Sequence, residues 1–161
     1  MPDDPAHPNR HYPAQQAWKS QANRSVIVFI TVCSKQRQPL FADHAIHQLL
    51  IQEWSNANTW AVGRYVILPD HIHLFASPCG DEAPDVRRWI RFWKSKVTQK
   101  WPLPHDGSIW QTNAWDRQLR AADSYAQKWE YVRNNPVRHG LVEKAKDWPY
   151  QGELNQLMWH D

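Results

Sequence analysis

"YVILPDHIHLFASP", residues 65–78, decides the fold. It holds the meeting point of two apolar runs, 60–68 and 71–78, joined at Pro69 and Asp70, which are good turn formers. A tight β-hairpin follows. Alternation along a strand sends residues two apart to the same side. His71 and His73 therefore share one face, while Ile72 and Leu74 point the other way, into a core. A neutral imidazole pair is a natural ligand set for one divalent ion, and a doubly protonated pair repels itself. For H-x-H alone the alternative stays open: histidines at a core edge, satisfied by neighbouring polar groups.

Outward from the hairpin, "SVIVFITVC" (25–33) is β-branched and aromatic and reads as the first strand. Asp43 suits the N-cap of a helix to about Asn56, with Ile46, Leu49, Leu50 and Trp54 at helical spacing. After the hairpin, Pro84 favours the first turn of a helix through "DVRRWIRFWKSKVTQKW". Its apolar face carries Val86, Trp89 or Ile90, Trp93 and Val97, and its opposite side carries Arg87, Arg91, Lys94 and Thr98. "IWQTNAWDRQLR" reads as an irregular segment ending in a short strand, and "AADSYAQKWEYVRNN" as a last long helix stopped by Pro136. The order β-α-β-β-α-β predicts an α+β, ferredoxin-like antiparallel sheet with helices on one face, plus a C-terminal helix bearing Tyr131. The expected organisation is an N-terminal arm over 1–24, one catalytic domain over 25–150 and a tail over 151–161.

A chain of 161 residues is the size of one domain and can build a core without staples. The formal charge of +3 implies a local basic patch for any nucleic-acid partner, not a wholly cationic surface. Two cysteines are too few for a disulfide framework and suggest a reducing compartment. The longest apolar run, "VIVFITVC", is too short to span a bilayer, so a cytoplasmic protein without a membrane partner is expected. Eleven tryptophans stand out; large rings fill small cores, and they also stack on unpaired bases.

In "KWEYVRNNPVRHGLV" (128–142), Tyr131 and Asn135 are four apart, so a helix presents phenol and amide on one side. Amphipathic packing of Tyr131 and a simple helix stop at "NNP" account for the same residues.

Together these stretches carry a resemblance over roughly residues 25–150. "YVILPDHIHLF" is similar to the His-hydrophobic-His signature of the single-tyrosine HUH (IS200-like) transposases. "WEYVRNNPVRHGLV", with "WQTNAWDRQLR" before it and "DWPY" after, resembles the REP-associated tyrosine transposases. The resemblance implies Tyr131 as nucleophile and His71, His73 and Asn135 as ligands of a divalent ion, Mg²⁺ or Mn²⁺. It implies cleavage of single-stranded DNA at hairpins of REP-like palindromes, preceded by a short 5′ guide, through a 5′-phosphotyrosine. A monomer is expected, with a dimer as the alternative. Arg87, Arg91 and Lys94 are candidates to follow phosphates and Trp110 and Trp115 to stack on bases; a merely solvated basic face is the bland counterpart.

Three other readings compete. One is a catalytically inactive hairpin-binding protein, and another a metallohydrolase acting through water, which leaves Tyr131 unexplained. The third is a non-haem iron site, which wants a carboxylate ligand. For that, strand parity turns Asp70 away from the histidine face.

Overall fold

The computed structural model describes residues 25–161; the arm expected over 1–24 lies outside the described residues. β1 (Val28–Cys33), α1 (His44–Asn56), β2 (Trp60–Ile67), β3 (His71–Pro78), α2 (Val86–Gln99) and β4 (Trp115–Gln118) follow the expected order. α3 (Tyr125–Arg133), α4 (Asn135–Arg138) and β5 (Gln151–Glu153) complete the chain. The sheet runs β4-β1-β3-β2-β5, with every pair antiparallel. β1 and β2 thus flank the central β3, the split arrangement that the element order predicts. The segment 151–161 supplies β5, which pairs with β2 through Arg64, Tyr65 and Val66.

Local chemistry sets the element ends. The Leu68 amide donates to the His71 carbonyl at 2.8 Å across the Pro69-Asp70 turn. Asp43 caps α1 by accepting from the amides of Ala45 and Ile46. α2 is capped by Asp85, which accepts from the Arg87 amide, and Pro84 stands just outside the helix. Ser124 caps α3 through the Gln127 amide.

The two sheet faces bury different partners. Ile30, Val32, Ile72, Leu74 and Ala76 pack with α1 and α2 around Trp54, Trp60, Trp89 and Trp93, all essentially inaccessible. The opposite face carries Val66 and Phe75, covered by Tyr125 and Val132 of α3 and by Trp148. Most of the tryptophan excess is therefore core, each ring removing a large apolar area from water.

One expectation needs correction. Pro136 does not stop the chain's helical course. The break falls at Asn134, and Pro136 then sits in the first turn of α4, where a missing N–H costs nothing. Tyr131 and Asn135 consequently stand on two short helices that meet at Asn134.

Gly63 lies at the irregularity of β2 between Val62 and Tyr65. A Cβ there would stand 2.6 Å from Leu157 and 2.8 Å from the Tyr125 hydroxyl. Tyr125 heads the tyrosine-bearing helix, so Gly63→Ala should push α3 off the sheet. A loss of about 1–3 kcal/mol is expected in urea unfolding, as for other overpacked sites; an unchanged midpoint would show that Leu157 and α3 yield freely.

Candidate active site

The histidine pair sits at the centre of the sheet. His73 is opposite Thr31 of β1 and Val66 of β2, and His71 is opposite Cys33. Cross-strand partners share a face, so Thr31, Cys33, His71 and His73 project together on the α3 side. The two imidazole centroids are 4.8 Å apart, and both rings are buried. Burial, above all, depresses both pKa values, that of His73 far below its ordinary value; at His71 the Asp70 carboxylate opposes the shift without reversing it. Both rings are therefore neutral at pH 7.

Each ring is held by its Nδ1. The Asp70 carboxylate lies 2.6 Å from His71 Nδ1, and the Thr31 hydroxyl lies 2.8 Å from His73 Nδ1. A carboxylate only accepts, so His71 carries its proton on Nδ1 and leaves Nε2 as a bare lone pair. That Nε2 is buried and has no hydrogen-bond partner. A buried polar atom without a partner is costly, and a carboxylate behind a histidine is the arrangement that orients metal-binding imidazoles. Here strand parity misleads. Asp70 belongs to the turn, not the strand, so it folds back onto the histidine face.

Asp70 is itself braced. Arg37 Nε donates to its other oxygen at 2.9 Å, and Arg37 Nη1 reaches Cys33 Sγ at 3.3 Å. Burial opposes ionisation of Asp70, but the hydrogen bonds from His71 and Arg37 and the Arg37 charge prevail and hold its carboxyl well below the usual carboxylate range. Gln36 and Arg37 both adopt left-handed backbone, φ 57° and 56°, to deliver this guanidinium. Such conformations are unfavourable for side-chain-bearing residues and persist where surrounding contacts hold them. Nothing in the spacing of "SKQRQPLF" signals this role.

α3 and α4 roof the same face. Tyr125 and Trp129 pack on Phe75, at centroid distances of 5.0 and 6.5 Å, and His139 reaches His71 at 5.8 Å. Phe75, His73 and His71 lie in line on β3, so the stretch from Tyr131 to Asn135 is bracketed between the two ends of this contact. Tyr131 is 48% exposed, and the Arg138 guanidinium stacks over its ring at 4.0 Å. The same guanidinium donates to the Tyr131 carbonyl and to Asn135 Oδ1. Among the described residues no three of His, Cys, Asp and Glu converge into a ready cation site. Asn134 and Asn135 stand where α3 meets α4, Asn134 Nδ2 donating to the Glu130 carbonyl and Asn135 Oδ1 accepting from Arg138.

Fold and site define a five-stranded antiparallel α+β protein with a buried histidine pair beneath a tyrosine-bearing helix. Part of the chain is similar in sequence to proteins named REP-associated tyrosine transposases. It is 32% identical over 108 residues to the Escherichia coli K12 protein of that name, covering 66% of this chain and 59% of the relative. With a Haemophilus influenzae protein described as a candidate of the same kind, it shares 35% over 96 residues, covering 52% of this chain and 53% of the relative. The chain thus spans somewhat over half the length of these two relatives. No family model matches. A solved REP-associated tyrosine transposase bound to a REP hairpin shares the fold, with a TM-score of 0.70 and 23% identity, covering 88% of this chain and 81% of that one.

The five DNA-contact candidates do not form one surface. Trp115 lies opposite Thr31 and packs edge-on against Phe29, which in turn stacks on His73, so this half-buried ring borders the histidine face. Arg87 and Arg91 stand on α2, across the sheet from that face; Arg87 reaches Asp116 at 3.2 Å and Arg91 is exposed. Trp110 is buried, stacked on Phe41 at 5.0 Å with its Nε1 donating to Thr98, and has no face free for a base. Lys94 is buried too, donating to the Gln111 carbonyl at 3.0 Å, so it is not available to a phosphate. Helical spacing places Lys94 beside Arg91 and Arg87, but the loop around Trp110 folds over it.

Burial brings the Lys94 amine down to about 8. An unfolded lysine titrates near 10.4, so between these values the unfolded chain binds more protons and stability rises with pH. Relative to Lys94→Met, the native protein should gain up to about 1.4 kcal/mol per pH unit across that window. Urea unfolding at pH 7.5 and 9.5 checks this; a pH-independent difference between the two proteins would refute it.

Proposed function

We propose that this chain is a metal-dependent single-stranded DNA strand transferase acting at hairpins of REP-like palindromes. Tyr131 is the nucleophile, and His71, His73 and Asn135 hold a Mg²⁺ or Mn²⁺ ion. The observation that carries the reading is His71 Nε2, a neutral, buried lone pair without a partner, oriented by Asp70 and placed under the tyrosine-bearing roof. Homology to REP-associated tyrosine transposases supports the substrate class.

A cation at this position supplies Lewis-acid polarisation of the scissile phosphate. The chain's own residues do the rest. His71 is pinned through Asp70 and Arg37 and offers Nε2 without rearrangement, and His73 is held in place by the Thr31 hydroxyl. Tyr131 Oη loses its proton and bonds to phosphorus, the P–O3′ bond breaks, and the departing 3′ oxygen takes up a proton. The product is a 5′-phosphotyrosine and a 3′-hydroxyl, and a later 3′-hydroxyl reverses the step on another strand. Trp115 borders the site and suits stacking on an unpaired base. Within one chain the roof lies over its own histidines, which supports a monomer. Both cysteines are free thiols, in keeping with the cytoplasm.

Hairpin oligonucleotides incubated with Mg²⁺ or Mn²⁺ should give a denaturant-resistant protein–DNA adduct. Tyr131→Phe and chelator should each abolish it. Cleavage persisting in Tyr131→Phe would sink the covalent mechanism in favour of water-based hydrolysis. Tight hairpin binding without any adduct would instead identify a binding protein.

Asp70→Asn separates the metal from the chemistry. An amide can present its N–H to His71 Nδ1 and release the tautomer that Asp70 fixes. Mn²⁺ affinity measured by calorimetry should then fall about 10–100-fold, the usual cost of losing such a partner. Unchanged affinity would remove the histidine pair from the metal site.

A further inference from the structure

Arg138 is the group on the roof whose charge the described structure leaves without a counter-charge. Its guanidinium stacks on the Tyr131 ring and donates to the Tyr131 carbonyl and Asn135 Oδ1, all of them uncharged. No carboxylate among the described residues forms an ion pair with it, whereas Arg37, Arg64, Arg87 and Arg133 each have one. The side chain is exposed, and the next residue, His139, reaches His71 at 5.8 Å, so α4 delivers this guanidinium to the rim of the histidine face. A fork of five donors is built to grip phosphate oxygens in pairs. Stacked on the phenol ring, it is one side-chain rotation from anything joined to the phenol oxygen.

We propose that Arg138 is a catalytic residue that binds the non-bridging oxygens of the scissile phosphate and then of the phosphotyrosine. This rests on the strand-transfer reading above. In the free protein the same guanidinium serves as a clamp. The break at Asn134 leaves the Tyr131 carbonyl for Arg138 to cap, and Asn135 is held beside it. On binding DNA, phosphate oxygens replace these neutral acceptors as the stronger, charge-assisted partners. The cation then stands where negative charge builds up as Tyr131 attacks.

A purely structural cap would behave differently, and Arg138→Gln distinguishes the two. Glutamine keeps an N–H donor for the Tyr131 carbonyl and Asn135 but carries no charge. Single-turnover adduct formation on a hairpin oligonucleotide with Mn²⁺ should fall about 100-fold, the scale for losing one transition-state donor. Thermal unfolding should stay unchanged. Arg138→Ala should lose at least as much and recover at least tenfold when tens of millimolar guanidinium chloride is added, while the native protein does not respond. Arg138→Gln cleaving at near-native rate, or Arg138→Ala unresponsive to guanidinium, would reduce Arg138 to a helix cap. Native protein that forms no Tyr131 adduct at all would remove the strand-transfer reading, and this proposal with it.

Discussion

The ladder that β3 shares with β1 on one side and β2 on the other is the constraint from which the site follows. Because β3 is central, it pairs on both edges and its side chains are fixed alternately against two different coverings. Ile72 and Leu74 are held in the tryptophan-rich layer under α1 and α2. That leaves no register in which His71 and His73 could leave the other face, since a one-residue slip would put two imidazoles into that layer. The hydrophobic pattern of one side thus enforces the chemistry of the other.

Much of this was legible in the chain because it depends on period and turn chemistry alone. The hairpin at Pro69-Asp70, the shared face of the histidines, the Asp43 cap and the apolar stripe of α2 are all local properties, and the structure has each of them. What escaped depends on contacts between distant segments. Lys94 and Trp110 read as surface groups because their burial comes from the loop around Gln111, which no periodicity encodes. Asp70 was misjudged by extending strand parity one residue too far, into the turn. Arg37 was invisible for a deeper reason: its approach requires two consecutive left-handed residues, and neither Gln36 nor Arg37 is a type that announces such backbone. The neighbouring "NPVRHG" did contain its signal, since a cation shortly after a helix break is well placed to cap the last carbonyls.

The chain of partners Arg37, Asp70 and His71 shows how polar groups are kept in a largely apolar setting. Arg37 and His71 both bond the Asp70 carboxylate, Asp70 fixes the His71 tautomer, and the series ends on one buried nitrogen without a hydrogen-bond partner. An imidazole whose other nitrogen is firmly bonded and whose remaining lone pair is bare carries a cost of roughly 1–3 kcal/mol for the unsatisfied atom. The left-handed backbone at Gln36 and Arg37 adds to that cost. Such local conflicts are expected where function, not folding, sets the geometry.

On the proposed reading, the remaining question is energetic. A phenol ionises near pH 10, so forming phenolate at pH 7 costs about 4 kcal/mol before any bond is made. The covalent phosphotyrosine conserves phosphodiester energy, so religation needs no nucleotide, but it does nothing for this first cost. Within the chain, the groups able to offset it are cationic and close to the ring, and Arg138 is stacked upon it. Its exposure in the free protein means that water screens it there. Once a DNA strand covers the roof, the same charge acts through a lower effective dielectric and counts for more. Substrate binding would thereby strengthen the electrostatics that the chemical step requires, and a tyrosine that is inert in the free protein would become reactive only beneath its own substrate.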